Sequence, residues 1–280
     1  MAEIWRGKEV RLQIEEEVKK RAQALQEREI TPTLAFFSVG QDETAAAYLR
    51  TAKKIMARCG VKVREEILPA EVSQEYGISR MIQLSEQSDV HGIMPMMPLP
   101  EGWTERPLLE AIAPSKDVDG LTLRNLGRIV AGEEGFLNCA VDAAFRFLSH
   151  YGVSLRGKRV CLLGAGRLLG RPLSLLLVRK GATVTVCNTK TVDAPGIARQ
   201  AQLLITAMGQ PGLVDRAYFA PQQIVVDLGT SFVDGKMRGD VDAVAAEVVR
   251  AYTPTPGGVA SVTSYVLAEH VVCAAERSGQ

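Results

Sequence analysis

No run of the chain approaches the ~20 uninterrupted apolar residues needed to span a bilayer, and the opening Met1-Ala-Glu-Ile-Trp-Arg-Gly-Lys8 lacks the basic-then-apolar order of a secretory leader. Neither membrane anchor nor signal peptide is expected, and the expected location is the cytoplasm. An excess of one charge is also missing, since 33 Lys plus Arg against 32 Asp plus Glu leave a formal net charge of +1. Such a balance advertises no nucleic acid or other polyanion as a partner. The five cysteines, Cys59, Cys139, Cys161, Cys187 and Cys273, are odd in number and never form a Cys-x-x-Cys pair, which argues against a disulfide framework and for buried free thiols in a reducing compartment. His91, His150 and His270 share no ligand spacing with one another or with the cysteines, and no metal site is expected. Internal repeats and low-complexity tracts are absent.

What the chain does have is material for two cores: 280 residues, of which 46% are hydrophobic. Val10, Ile14, Val18, Ala22 and Leu25 recur at helical spacing among charged residues and predict an amphipathic helix. Thr33 to Gly40 reads as a buried strand, Glu43 to Cys59 as a helix ended by Gly60, and Val61 to Leu68 as a strand. A helix from Ser73 to Gln87 and a strand from His91 to Met97 complete an alternation that favours a parallel, helix-covered sheet. Pro114 to Glu134 shows no clear periodicity and is expected to be a loop crossing between domains, before a helix that includes Asp142 to His150. In the second half, Arg159 to Gly164, Thr183 to Cys187, Leu203 to Ala207 and Ile224 to Leu228 read as strands, and a helix follows Gly170. The expectation is an α/β chain of two domains, residues 1–136 and 137–260, with a helix in residues 261–280 returning to the first.

The strongest chemical signal is the strand that runs into Gly164-Ala165-Gly166-Arg167-Leu-Leu-Gly170 and then a helix. Gly164 permits a tight exit from the strand, Gly166 lets backbone approach a phosphate, and Gly170 lets the helix lie close to the sheet, while the helix N-terminus offers free N–H donors. The spacing is one residue longer than the usual dinucleotide fingerprint, and a structural turn is the alternative. Where unphosphorylated cofactors are preferred, a carboxylate often ends the second strand. Here that strand ends Cys187-Asn-Thr189-Lys190, with no acid before Asp193. Thr189 and Lys190 could meet a 2′-phosphate, so preference leans to NADP with NAD still open, and Lys190 also fits a plain solvated lysine. Ser115-Lys-Asp-Val-Asp119-Gly120 sets two acids beside a glycine turn. It is either a surface turn or a carboxylate site for an amino-pterin or guanidine-like ring edge. Thr253-Pro-Thr-Pro256-Gly257-Gly258-Val-Ala-Ser-Val-Thr263 is expected to lie outside any core as a ligand-touching loop, with Ser261 or Thr263 capping the helix after it.

Taken together these residues resemble the methylenetetrahydrofolate dehydrogenase/methenyltetrahydrofolate cyclohydrolase family. Val39-Gly40 then Tyr48-Leu-Arg50, Gly92-Ile93 before Pro98-Leu-Pro100, Lys116 to Gly120, Gly170-Arg-Pro172, Gly239-Asp-Val-Asp242 and Thr255 to Val259 occur in the family's order over nearly the whole chain. The resemblance implies an N-terminal three-layer α/β folate domain and a Rossmann domain facing it across a cleft, usually in a homodimer. It also implies oxidation of 5,10-methylenetetrahydrofolate by NAD(P), followed in most members by hydrolysis of the methenyl product to 10-formyltetrahydrofolate. By position it makes Tyr48 the pterin-stacking residue and Asp119 the acid at the polar edge, both candidates for the chemistry. It puts Met96, Pro98, Pro256, Gly257 and Gly258 against the substrate, and Gly164, Ala165, Gly166, Arg167, Gly170, Thr189, Lys190 and Thr230 against the cofactor.

The departures from the family's pattern bear on the reaction. Its catalytic lysine, four residues after the tyrosine, is Ala52 here, and the glutamine that bonds it aligns with Met96. Lys53 is adjacent, but one helical step turns a side chain by roughly 100°. Hydrolysis needs a proton acceptor and later a donor, which neither alanine nor methionine supplies, whereas hydride transfer asks mainly for placement. The family's Gly-Arg-Ser is Gly164-Ala165-Gly166, with Arg167 as a substitute from another angle, and its Gly-Pro-Met-Thr is Ala260-Ser-Val-Thr263. The expectation is a dehydrogenase with weak or absent cyclohydrolase activity. A bifunctional enzyme rescued by Lys53 or another base, a non-catalytic folate- or nucleotide-binding paralogue, and a related dehydrogenase with another substrate are the alternatives.

Overall fold

A computed structural model describes residues 2–40 and 42–279. In chain order the elements are β1 (Glu3–Ile4), α1 (Lys8–Gln26), β2 (Thr33–Val39), α2 (Glu43–Arg58), β3 (Lys62–Leu68), α3 (Gln74–Glu86), β4 (Gly92–Pro95), α4 (Glu105–Glu110), α5 (Leu123–Ala131) and α6 (Cys139–His150). There follow β5 (Arg159–Leu163), α7 (Gly170–Arg179), β6 (Thr183–Cys187), α8 (Ala194–Arg199), β7 (Leu203–Thr206), β8 (Ile224–Asp227), β9 (Ser231–Val233), β10 (Lys236–Arg238), β11 (Ala251–Tyr252) and α9 (Thr263–Ser278). The chain divides into two compact units, Leu12–Cys139 with Ser264–Gln280, and Met1–Arg11 with Ala140–Thr263.

The first unit is built on a three-stranded parallel sheet in the order β3-β2-β4. Its central strand carries Leu34, Ala35, Phe36 and Phe37 consecutively, all buried, as a strand covered on both faces requires. Burying each phenylalanine contributes roughly 2 kcal/mol. On α1 the stripe Ile14, Val18, Ala22 and Leu25 is buried, and α2 turns Ala52 and Met56 inward. Asp42 opens α2 by accepting a bond from the Ala45 N–H at 2.8 Å. Gly92 on β4 lets two elements come close, since a β-carbon there would lie 2.8 Å from Val118 and 3.0 Å from Val271 of α9.

One expectation fails in this unit. The segment read as a crossing loop contains α5, nine residues long. Its end signals were present: the Thr122 hydroxyl accepts from the Asn125 N–H at 3.2 Å, and Gly132 leaves the helix at φ +89°. Arg124, Gly127 and Arg128 diluted the apolar period, so the caps carried more information than the stripe.

The second unit holds a six-stranded sheet in the order β1-β11-β8-β7-β5-β6, its pairs parallel. The chain passes from β5 outward to β6 and then returns to the far side of β5 to form β7. That reversal makes the C-terminal ends of β5 and β7 a topological switch point, where open α/β sheets bind ligands. The opening residues extend this sheet: Trp5 N–H donates to the Tyr252 carbonyl at 2.9 Å, Gly7 N–H to the Gly257 carbonyl at 2.9 Å, and the Trp5 ring stacks on Tyr151 at 4.3 Å. The division drawn from the sequence had set these residues in the other domain, because a two-residue strand has no period to read. All five cysteines are free. Among the described residues no helix is long and apolar enough to cross a membrane, and no group of three or more His, Cys, Asp or Glu could hold a metal.

Candidate active site

In the second unit the glycine run does what its residue types allow. Gly164 leaves β5 at φ +116°, and a β-carbon there would sit 2.3 Å from the Ala207 carbonyl that follows β7. A β-carbon on Gly170 would lie 2.1 Å from the Gly164 carbonyl, so only glycine lets α7 start this close to the sheet. Gly166 is the contrast, with nothing within 4 Å of its would-be β-carbon, an open exposed backbone beside the first turn of α7. A phosphate fits there: small residues leave room, and the helix start supplies N–H donors. Ala165 is held by its carbonyl, which accepts from Arg171 Nε at 3.1 Å, and Arg167 stands half-buried within the run.

The strand ends next to this junction are also ordered. Gly164 N–H donates to the Cys187 carbonyl at 2.9 Å, which sets the loop after β6 beside the glycine run. In that loop Lys190 N–H donates to Asn188 Oδ1 at 2.8 Å, and Thr189 and Lys190 are exposed. Asp193 is not available as a ribose acid in its observed role, because its Oδ1 accepts from the Gly196 N–H at 3.0 Å and caps α8. Thr230 is exposed just beyond β8.

Two aspartates that were not singled out shape the floor of these loops. Asp227, buried at the end of β8, accepts from the Thr206 hydroxyl at 2.7 Å and the Gly229 N–H at 2.8 Å. Asp240 accepts from the Met208 N–H and the Gln210 N–H, each at 2.7 Å. Burial pushes both carboxyls above the usual range. A motif containing Gly239-Asp240 flagged the second, whereas Asp227 sat in a strand and read as core.

The loop at Thr253 to Thr263 corrects two expectations. It is partly core, with Thr253, Val259 and Val262 buried, and the Thr253 hydroxyl accepts from the Asp227 N–H at 2.8 Å. Ser261 and Thr263 do not cap by accepting: their hydroxyls donate to the Gly258 carbonyl at 2.6 Å and the Ala260 carbonyl at 3.0 Å. Pro256, after a cis peptide bond, is exposed, and Gly257 takes φ +96°.

In the first unit the Ser115 to Gly120 run is no surface turn. Asp117 is buried and accepts from the Leu121 and Thr122 N–H groups at 2.8 and 2.9 Å and from Asn125 Nδ2 at 2.8 Å. That acid anchors the start of α5. Asp119 points elsewhere: Oδ1 accepts from the Cys139 N–H at 2.8 Å and Oδ2 from Asn138 Nδ2 at 3.2 Å, at the N-terminus of α6. Burial, reinforced by Asp117, raises its pKa to about 6, against the pull of the Cys139 donors and of His270.

Tyr48 is brought to the same place. Its ring is 36% exposed and meets Phe36 edge-on at 6.5 Å. Burial and then the nearby Asp119 raise the pKa of its hydroxyl, so the phenol stays neutral. Ala52, one turn beyond Tyr48, is fully buried, and Met96 is 7% exposed at the end of β4. Pro98, preceded by a cis bond, is exposed. Lys53 faces another way: it is 40% exposed, and its amine pairs with Glu65 on β3. Cys139 and His270 were missed as neighbours of this cluster, since no local spacing links residue 119 to 139 or 270.

A parallel sheet with a glycine-fitted strand–helix junction at its switch point defines a dinucleotide-binding α/β protein, here joined to a second α/β unit with a three-stranded parallel sheet. Profile comparison makes the class specific. The catalytic-domain profile of the tetrahydrofolate dehydrogenase/cyclohydrolase family matches residues 5–119, and that family's NAD(P)-binding-domain profile matches residues 138–279. The chain therefore belongs to the tetrahydrofolate dehydrogenase/cyclohydrolase family. It is 38% identical over 266 residues to the bifunctional protein FolD of Thermus thermophilus, covering 95% of this chain and 93% of that one. Among solved structures, the bifunctional FolD of Campylobacter jejuni superposes with a TM-score of 0.95 at 34% identity, covering 99% of each chain. The FolD of Trypanosoma brucei, solved with NADP and an inhibitor, gives 0.91 at 33% identity, covering 100% of this chain and 99% of that one.

Proposed function

We propose that this protein oxidises 5,10-methylenetetrahydrofolate to the methenyl form with NADP, and that its hydrolysis of the methenyl product is weak or lost. The observation that carries the reading is the pair Ala52 and Met96, both buried where the family resemblance calls for a lysine and its glutamine. An apolar pair can neither accept a proton from water nor return one to the opening ring. NADP, when bound, supplies the hydride acceptor. The protein's share of the oxidation is placement: Tyr48 stacks on the pterin, Asp119 takes its polar edge, and Met96 and Pro98 shape the surroundings in the first unit, while Pro256, Gly257 and Gly258 form the ligand-touching loop of the second.

On the nucleotide side, the open backbone at Gly166 would take the pyrophosphate, with Gly164, Ala165 and Gly170 setting its approach. Arg167, Thr189 and Lys190 would meet a 2′-phosphate, and Thr230 would contact the cofactor further along the sheet edge. Support for NADP over NAD comes from Asn188 at the end of β6 and from the use of Asp193 as a helix cap. A cytoplasmic homodimer belongs to the same proposal, the location supported by five cysteines free of disulfides.

A second reading retains hydrolysis through another base. Asp119, ionising at about 6, is the group that favours it, whereas Lys53, engaged with Glu65, lends it no support. The test is to mix pure protein with 5,10-methylenetetrahydrofolate and NADP or NAD and to follow reduced nicotinamide and methenyltetrahydrofolate separately. Reduction with accumulation of the methenyl form is expected. Reduction without accumulation beyond the spontaneous hydrolysis rate would favour the rescued bifunctional site, and no reduction with either nucleotide would sink the dehydrogenase reading.

A further inference from the structure

We propose that α9 aims a folate-side residue, with His270 the positioning residue for Asp119. This deepens the function proposed above and rests on it for the identity of the ligand. The turn bearing Asp119 is tied on three sides. Asp117 is bonded to the start of α5, the Asp119 carboxylate to the start of α6, and the Val118 carbonyl between them accepts from His270 Nδ1 at 2.8 Å. A carbonyl partner requires Nδ1 to carry the proton, which fixes the tautomer.

The Val118 carbonyl and the Asp119 N–H belong to one planar peptide unit. Holding that carbonyl fixes the plane from which the Asp119 side chain departs, so His270 sets the carboxylate's direction without touching the ligand. The imidazole has little room to move: it is buried, lies 5.3 Å from the Phe136 ring, and has Cys139 Sγ 3.8 Å from Nδ1. The register of α9 is itself fixed by Val271 packing over Gly92. One helix thus sets the direction of the carboxylate through the peptide that precedes it.

The test uses the full chain and calorimetric binding of tetrahydrofolate and, separately, NADP to the wild type, His270→Leu, His270→Ala and His270→Asn, with steady-state KM and kcat alongside. His270→Leu is expected to raise the tetrahydrofolate Kd about tenfold, and His270→Asn, whose amide can still donate to Val118, to stay within about threefold. NADP affinity should not move in any variant. Unchanged tetrahydrofolate binding in His270→Leu overturns the proposal, as does a parallel loss of both ligands with a falling Tm, the mark of a structural residue. If His270→Leu fails to fold, His270→Ala, which also leaves the Val118 carbonyl without its donor, decides between the same outcomes. A wild type that binds tetrahydrofolate with this pattern of variants but reduces neither nucleotide ends the dehydrogenase reading and leaves the positioning role supported. A wild type that binds no tetrahydrofolate overturns both.

Discussion

The glycine junction after β5 and the Tyr48–Asp119 cluster solve the problem of a binding site in opposite ways. At the junction the specificity lies in the backbone: three glycines, one strand end and one helix start, with contact distances of 2.1 to 2.3 Å that no β-carbon tolerates at Gly164 and Gly170. In the cluster it lies in side chains drawn from α2, the turn at Asp119, the start of α6 and α9, held by hydrogen bonds and a shared low dielectric. A backbone site is robust to side-chain drift and announces itself in the sequence. A side-chain site depends on the identity of each member, which is why Ala52 and Met96 carry the proposal of weakened hydrolysis.

The sharpest way to break this comparison is Gly170→Ala. NADP affinity should fall more than about 100-fold, since α7 must shift to relieve the clash with the Gly164 carbonyl, while tetrahydrofolate affinity stays within about threefold by calorimetry. Gly166→Ala, with open space around it, should leave Tm unchanged and cost about tenfold in NADP affinity alone. Equal losses in both variants would mean that the two glycines do not have separate roles.

A smaller effect isolates the other site. Burial holds Asp119 at about 6 in the fold, above the 3.8 of an ordinary aspartate. Its neutral form therefore favours the fold: the contribution is complete below about pH 4 and is lost as pH rises through 6. Asp119→Asn, neutral throughout, should gain stability relative to the wild type between those limits, by a few kcal/mol at most, and should lose about 100-fold in kcat/KM for methylenetetrahydrofolate. Tm of both proteins against pH checks the first, and a flat difference would mean that Asp119 is ionised in the fold well below 6. The smallest effect is expected at Lys53→Met. The ion pair with Glu65 is half exposed and contributes about 1 kcal/mol or less, so Tm and any residual methenyl hydrolysis should barely move. A clear fall in hydrolysis would restore Lys53 as the rescuing base.

Legibility followed the same division. Strands such as Thr33–Val39 and Arg159–Leu163 were readable because continuous apolar runs bounded by glycine have few alternatives. Helix α5 was not, because its caps at Thr122 and Gly132 are single residues and its stripe is interrupted. Asp119 was visible as a candidate, yet its neighbours were not: Asn138, Cys139 and His270 lie 19, 20 and 151 residues away in sequence.

From its sequence alone this protein determined its alternating α/β plan and the glycine-fitted junction after β5, since period and glycine spacing are local properties. Only the tertiary structure decided that Glu3–Ile4 complete the second sheet, that Asp117 braces α5 while Asp119 is bound at the start of α6, that Lys53 turns to Glu65, and that α9 brings His270 to the turn bearing Asp119. Those facts depend on which distant segments share a desolvated space, where a polar group is costly to bury without a partner.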